Sequence, residues 1–456
     1  MMKLSEIAKV LNVPMRGIDV NVRSIGTDSR NIAKGQLFVG IKGEHFDGNS
    51  YAAEALKQGA AAVMISSEKI PANPSVKVED TRLALGTLAH YWRNKFDLPL
   101  VAVTGSNGKT TVKEMISAIL NAAEGKVLAT RGNLNNDIGV PLSLFGINNR
   151  HSFAVIEMGM NHEGEIRYLS KLACPQVAVI NNAGTAHIGE LGSREAIARA
   201  KGEIFEGLAE DGIAVINADD AFADYWKSLN KNRKVMTFGL DANADISAIY
   251  KMQDNVSQIR LKTPNGSIKF DLKLLGEHNV RNALAASAAA CALGVNNENI
   301  AKGLAQCNPV KGRLHWLEGA NGAMVIDDTY NANPDSMKMA IDVLANQKGA
   351  KTSSLIFVMG DMAELGDDSE QFHAEIGAYA KKKGIHQLLS YGEFSKLASE
   401  KFGVNGKHLN SLEGLLEKLR VEMSLGVTVL VKGSRYMKME RVVNAIVKEK
   451  SFLEAH

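Results

Sequence analysis

Cysteine and proline are scarce in this 456-residue chain, at 3 and 9 residues. Cys174, Cys291 and Cys307 are an odd number without CxxC spacing, which excludes a disulfide framework and a thiolate zinc site. They read as buried thiols of a reducing compartment. Long hydrophobic runs are also missing. The nearest, Ala283–Val295, is Ala-rich and falls short of the roughly 18–20 residues of a membrane span. The start, MMKLSEIAKVL, sets Lys3, Glu6 and Lys9 among apolar residues, an amphipathic pattern rather than a signal peptide. Nor does charge of one sign dominate. A net charge of +3, without basic blocks, argues against a dedicated binder of nucleic acid or anionic membrane. What is there, 45% hydrophobic and 23% charged residues, is the profile of a soluble globular protein, expected in the cytoplasm as a monomer. The length fits roughly three domains at about 100–200 residues each, and 41 glycines suit many tight strand–helix turns.

Three segments follow from the hydrophobic patterning: 1–96, 97–311 and 312–456. The first opens with a short helix. Gln36–Ile41 and 60–66 read as strands, Tyr51–Gln58 as a helix ended by Gly59, and Ala72–Pro74 as a turn. The second places strands at 100–105, Phe153–Glu157, Val177–Asn181 and Ile213–Asn217, with helices over Val112–Asn121 and Ser193–Ala209. Such alternation predicts a mostly parallel sheet covered on both faces. The third alternates likewise, with strands 323–327, 354–359, 387–391 and 427–431 and helices 335–346, 369–383 and 435–449. It reads as a small doubly wound domain. The fold class is therefore α/β, with a central P-loop-like domain, a smaller N-terminal α/β domain and a Rossmann-like C-terminal one.

The central segment carries the clearest chemistry. Residues 104–111, Thr-Gly-Ser-Asn-Gly-Lys-Thr-Thr, follow a buried strand and open a helical pattern. Backbone N–H groups of Gly105, Ser106, Asn107 and Gly108, with the helix N-terminus, can curl around phosphates. Lys109 would reach the β/γ-phosphates and the Thr110 hydroxyl would hold Mg²⁺, with Thr111 beside it. Val103 stands where the usual motif has its first glycine. No Asp after Lys109 has Gly three residues on, so a GTPase DxxG motif is missing. Asn94-Lys95-Phe96-Asp97 precedes the loop instead of following it and is read as coincidence, so ATP is favoured over GTP. Glu157 closes a strand where its carboxylate would enter the ligand crevice or simply be solvated. His187 follows the next strand by a short loop and is either structural or part of the site. Lys201 falls within the apolar stripe of Ile197, Ala200, Ile204, Phe205 and Leu208. A buried ammonium must snorkel, pair or be modified. A neutral amine there could take up CO₂ as a carbamate and so become a magnesium ligand.

In this order these residues resemble the Mur ligase superfamily, ATP-dependent amide ligases of peptidoglycan precursor assembly, over the whole chain. The resemblance implies a TGxNGKTT loop at 104–111, a metal carboxylate at Glu157, a second-magnesium histidine at His187 and a carbamylated lysine at Lys201. It implies an adenine-binding stretch Gly276–Asn282 with Asn279 and Asn282, a nucleotide contact at Arg313 and a ribose contact at Asp328. Ser106 stands where Thr is more frequent; both carry a hydroxyl. Within the family the motifs Asp28-Ser29-Arg30, His45-Phe46-Asp47-Gly48, Gly132–Pro141, Asp327–Pro334, Gly360–Gly366 and Lys432–Arg435 resemble those of the member that adds D-alanyl-D-alanine to UDP-N-acetylmuramoyl-tripeptide. The Asp-Asn-Pro-Arg expected of the diamino-acid ligase does not occur. Substrate contacts are then expected at Ser29, Arg30, Asp47, Gly48, Asn135, Asn136, Asn331, Lys432, Ser434 and Arg435, although Lys432–Arg435 also fits a plain basic helix start. Kinases, other P-loop NTPases and a non-catalytic nucleotide scaffold are the rival classes.

Overall fold

Strand Leu100–Thr104 is buried along its whole length. Its side chains divide by strict alternation between two apolar layers. Leu100 and Ala102 face one cluster, Val101 and Val103 the other. A near-continuous apolar run is what a parallel strand covered on both sides requires. The computed structural model describes residues 1–67, 72–253, 256–349 and 352–448. In it this strand sits inside a six-stranded parallel sheet, in the order 234–238, 213–217, 177–180, 100–104, 153–157 and 127–129. The chain reverses its direction of strand addition at 100–104. Loops following 104, 157 and 180 therefore open onto one crevice.

One layer consists of helices Lys109–Ala122, Glu277–Ala292 and Asn297–Ala305. Alanines 283, 285, 286, 288, 289 and 290 are essentially fully buried. Small side chains let that helix lie close to its neighbours. The opposite layer, with helices Thr81–Arg93 and Glu165–Ala173, continues into the N-terminal core. The N-terminal sheet has five strands, in the order 15–16, 75–77, 62–65, 36–39 and 24–26, parallel except for the first pair. The C-terminal sheet has six, in the order 315–318, 324–328, 427–432, 354–360, 387–391 and 406–408, with only the first antiparallel. The α/β architecture is the expected one. No described helix is long and apolar enough to cross a membrane.

Several elements differ from expectation. The helix expected over Ser193–Ala209 runs only from Arg194 to Gly202, with Ser193 as its cap, and tightens to a 3₁₀ turn at Glu203–Glu206. Two tertiary contacts draw the chain in there. The Glu203 carboxylate accepts from Gly164 N at 2.8 Å, at the start of helix Glu165–Ala173. A Cβ on Gly207 would lie 2.2 Å from the Ser170 carbonyl carbon, so the two backbones touch. The final helix is Glu440–Ile446, preceded by a 3₁₀ turn at Arg435–Met437 and by Lys438 at φ 51°. Residue 449, its expected end, lies outside the described residues. A three-stranded antiparallel sheet, Ser247–Gln253, Val256–Thr263 and Gly266–Leu272, adds to the expected elements. Its alternation of Ile259-Arg260-Leu261-Lys262 is that of a half-buried strand, with Ile259 and Leu261 packed in the Ala-rich layer. Helices Ser395–Phe402 and Leu412–Glu422 and strand Gly406–His408 complete the C-terminal layers.

Candidate active site

The phosphate-loop sequence forms the turn its glycines permit. Gly108 has φ 80° and directly precedes helix Lys109–Ala122. A Cβ there would lie 2.3 Å from Asn282 Oδ1 and 2.5 Å from Asn181 Nδ2, so only glycine fits. The loop is braced by two asparagines that the sequence analysis did not single out. Asn107 N donates to Asn182 Oδ1 at 2.9 Å, and Asn181 Nδ2 donates to Asn107 O at 2.9 Å and to Asn282 Oδ1 at 2.9 Å. Ser106 Oγ accepts from Gly184 N at 2.9 Å. Two amides placed at the end of a buried strand were the available signal. The Lys109 ammonium folds back on Gly105 O at 2.7 Å. Burial pushes its pKa down, while the Glu157 carboxylate opposes that shift.

Glu157 is 2% exposed at the carboxyl end of its strand. Its Oε2 accepts from Thr110 Oγ1 at 2.9 Å, and its Oε1 from Asn135 Nδ2 at 2.8 Å. Arg313 Nη2 donates to the same Thr110 hydroxyl at 2.9 Å, and its guanidinium lies 4.2 Å from the Tyr330 ring centroid. The expected nucleotide loop, metal carboxylate and C-terminal arginine therefore meet at one hydroxyl. Asn279 and Asn282 sit on helix Glu277–Ala292, with Asn282 against the loop and Asn279 Nδ2 bonded to Leu275 O.

Among the described residues no three His, Cys, Asp or Glu side chains cluster as a metal cage. Magnesium typically takes one or two carboxylates and completes its shell with substrate phosphate and water. The Thr110 and Glu157 oxygens beside a phosphate loop fit that habit. His187 sits at φ 64°, with Nδ1 2.7 Å from Glu364 Oε2, and Glu364 is itself left-handed at φ 63°. Contact with His187 holds the Glu364 carboxyl below the usual range. Lys201 is 2% exposed and has no hydrogen-bond or ion-pair partner among the described residues. Burial first, and the Lys109 charge second, push its pKa well below that of an ordinary lysine, against the opposing Asp220 carboxylate.

A cavity of about 1820 Å³ is lined by Lys109, Glu157, His187 and Arg313, though not by Thr110 or Lys201, and draws its walls from all three segments: Glu44, Arg82 and Leu83 from the first, the phosphate loop, Thr111, Asn135 and Asn136 from the second, Asp328, Asn331 and Arg435 from the third. Several expected substrate contacts stand elsewhere. Ser29, Arg30, Asp47 and Gly48 do not line it. Arg30 grips Asp28 at 2.8 Å on an exposed turn. Asp47 caps the Gly48–Tyr51 turn through Asn49 N, and a Cβ on Gly48 would meet Ile41 O at 2.5 Å. Asn136 Oδ1 holds Gly139 N at 2.9 Å. Lys432, expected to bind a substrate carboxylate, is 2% exposed and spends its ammonium on Asp328 Oδ2 at 2.6 Å and Asn331 O at 2.9 Å. That pair also engages Asp328, the expected ribose contact, which accepts from Leu314 N at 3.1 Å as well. Ser434 is 1% exposed, with Oγ donating to Asp361 O at 2.6 Å. A buried cation demands a buried anion and a buried hydroxyl an acceptor, and each finds one here, Lys432 while still lining the cavity and Ser434 away from it. Of the three, only Arg435 is exposed, at the cavity and 3.3 Å from Glu440.

His278 stands beside the Lys432–Asp328 pair. Burial pushes its pKa from 6.5 down to about 4, Asp328 opposes this and Lys432 adds to it. Between these values the unfolded chain binds one proton more than the folded one, so stability falls as pH drops from 6.5 towards 4. From pH 7 to 5 this is roughly 2 kcal/mol. His278→Gln is expected to lose less stability over that interval in urea titrations. Identical pH slopes for the two proteins would reject the assignment.

Comparison with known proteins shows the family. Residues 103–290 match the Mur ligase middle domain, 312–435 the Mur ligase glutamate ligase domain and 21–93 the catalytic domain of the Mur ligase family. The chain belongs to the Mur ligase family. It is 42% identical to the UDP-N-acetylmuramoyl-tripeptide--D-alanyl-D-alanine ligase of Escherichia coli, over 97% of this chain and 98% of that one. It is 38% identical to the Bacillus subtilis protein of the same name, over 93% of each. The crystal structure of MurF from Acinetobacter baumannii superposes with a TM-score of 0.91 at 37% identity, covering 97% of this chain and 98% of that one. MurF from Thermotoga maritima in complex with ADP gives 0.81 at 29% identity, covering 93% and 97%.

Proposed function

We propose that this protein is an ATP-dependent ligase that joins D-alanyl-D-alanine to UDP-N-acetylmuramoyl-tripeptide, a step of peptidoglycan precursor synthesis in the cytoplasm. The observation that carries the reading is the meeting of the phosphate loop, Glu157 and Arg313 at the Thr110 hydroxyl, beside a cavity that Lys109, Glu157 and Arg313 line and all three segments wall. Full-length similarity to ligases named for these substrates supports it.

A carboxylate is a poor electrophile because its leaving group would be oxide. Attack of the tripeptide carboxylate oxygen on the γ-phosphorus of ATP releases ADP and gives an acyl phosphate. The dipeptide amine then attacks the carbonyl carbon, phosphate leaves with the bonding pair, and the amine loses a proton. Both partners of the first step are anions. Lys109, released from Gly105 O, and Arg313 would neutralise them, and loop N–H groups would fix the phosphates. Thr110, Glu157 and His187 would hold Mg²⁺, which supplies charge neutralisation at the phosphates. Asn135 keeps the Glu157 carboxylate oriented.

Lys201 is proposed to carry a carbamate. Its neutral amine would attack CO₂ and release one proton, and the resulting anion would help orient the metal. Its burial, with no hydrogen-bond partner among the described residues and a pKa pushed down by desolvation against the Asp220 carboxylate, supports this. Asn279 and Asn282 are proposed at the adenine and Asp328 at the ribose.

The three modules, 1–96, 97–311 and 312–456, are proposed to bind the UDP end, ATP and the amine. Ser29 and Arg30 would act on the UDP end, remote from the chemistry, where binding energy places the reacting carboxylate. Water would be excluded by the contacts between central and C-terminal segments, such as Thr185 N to Asp335 Oδ2 at 2.7 Å and Asn333 Nδ2 to Asn107 Oδ1 at 2.9 Å.

The test is incubation with ATP, Mg²⁺, the UDP-muramoyl tripeptide and single amines, with products read by mass. Amide is expected with the dipeptide and not with a free diamino acid. Phosphate release without amide would overturn the reading. Arg435, with Asn331 beside it, is proposed to bind the dipeptide carboxylate. Arg435→Ala is expected to raise KM for the dipeptide about 10- to 100-fold, the equivalent of about 1.5–3 kcal/mol. A change confined to ATP affinity would count against it.

A further inference from the structure

Lys113 and Thr130 are buried polar groups for which the mechanism above has no use. Lys113 is 1% exposed, among the largest fully buried side chains of the protein. Its ammonium donates to Thr130 O at 2.7 Å and pairs with Glu114 Oε1 at 2.7 Å. A methionine would fill the same space without the cost of desolvating a charge, so the ammonium calls for a reason.

The surroundings supply one. The parallel ladder between strands Val127–Ala129 and Phe153–Glu157 ends at Ala129 and Val155. Thr130 N still donates to Val155 O at 3.0 Å. One step further the Thr130 carbonyl is taken by Lys113, and the Thr130 hydroxyl instead accepts from Glu157 N at 3.0 Å. Thr130 is 2% exposed, so without that hydroxyl the Glu157 N–H loses a buried partner. Lys113 fixes the peptide that carries this hydroxyl. It stands three residues after Thr110 on helix Lys109–Ala122, one turn away on the same face. The helix thus reaches Glu157 twice, through Thr110 Oγ1 to the carboxylate and through Lys113 and Thr130 to the backbone.

We propose that Lys113 and Thr130 are positioning residues that set the Glu157 carboxylate for Mg²⁺ at the nucleotide phosphates. The inference rests on the proposed role of Glu157 as metal ligand. Partners that orient a metal ligand typically change metal affinity when removed, with little effect on groups that do not see the metal.

The experiment is calorimetric titration of the full-length protein with ADP, once with Mg²⁺ and once with EDTA. Thr130→Val and Lys113→Met are expected to weaken ADP binding about 10-fold in Mg²⁺ and by less than about twofold in EDTA, with Thr130→Ser near wild type. A Thr130→Val protein that binds ADP as the wild type does in Mg²⁺, or that loses affinity equally in EDTA, overturns the inference. Should Lys113→Met not fold, the Val and Ser variants at 130 decide the matter alone. Glu157→Gln separates the two levels. If it retains the full magnesium effect, the metal role of Glu157 fails and the inference with it. If it loses that effect while Thr130→Val does not, only the positioning inference fails.

Discussion

Lys109→Ala is expected to keep its fold and lose ligation. Among the described residues the ammonium bonds only to carbonyls of its own loop, Gly105 O and Ser106 O, so no core hydrogen bond goes with it. Its removal leaves the charge of the approaching carboxylate and γ-phosphoryl group without its mobile counter-charge. Loss of one preorganised donor costs about 2–4 kcal/mol of barrier, roughly 30- to 1000-fold in rate. The measurement is turnover alongside thermal unfolding. Near wild-type turnover would remove the phosphate-loop assignment, and a collapse of the melting temperature would show the lysine to be structural instead.

Lys201→Ala is expected to be the next most damaging, by about 100-fold or more if a carbamate orients the metal. The chemical environment argues for more than snorkelling. An amine that is 2% exposed and has no partner among the described residues cannot stay charged cheaply, and a neutral amine is the form that reacts with CO₂. A short-chain carboxylate added in solution should partly restore the alanine variant, because it returns an anion to the vacated space. Labelling with ¹³C-bicarbonate should give the wild type a carbamate carbon signal that the variant lacks. Normal turnover by Lys201→Ala, or no label in active wild type, would favour the plain buried lysine.

Much of the site was legible because it is local. A loop of eight residues between a buried strand and a helix needs no distant partner to be recognised, and the structure forms it with Gly108 at positive φ as that loop requires. Glu157 was legible for a similar reason, since the end of a parallel strand points at the crevice whatever surrounds it. Lys201 could be singled out because helical periodicity placed a charge inside an apolar stripe, and burial then followed. The Ile259–Lys262 alternation was equally present in the sequence, and its antiparallel sheet was passed over.

What distance in sequence hides, only the tertiary structure decided. Lys432 and Ser434 looked like ligand-binding groups because a cation and a hydroxyl at a strand end suit a carboxylate. The fold gives each an internal partner, Asp328, 104 residues earlier, and Asp361, 73 residues earlier, yet it leaves Lys432 on the cavity wall and keeps Ser434 off it. The Asn181–Asn182 brace, the Arg313–Thr110 bond across 203 residues and the Glu364–His187 contact likewise join groups that no local pattern relates. The sequence by itself determined the alternating α/β layers, the phosphate loop and the apolar setting of Lys201, because periodicity and turn chemistry act over a few residues. Which polar groups face the cavity and which hold the fold was decided by the packed structure, because a buried charge or hydroxyl takes whatever partner the rest of the chain brings to it.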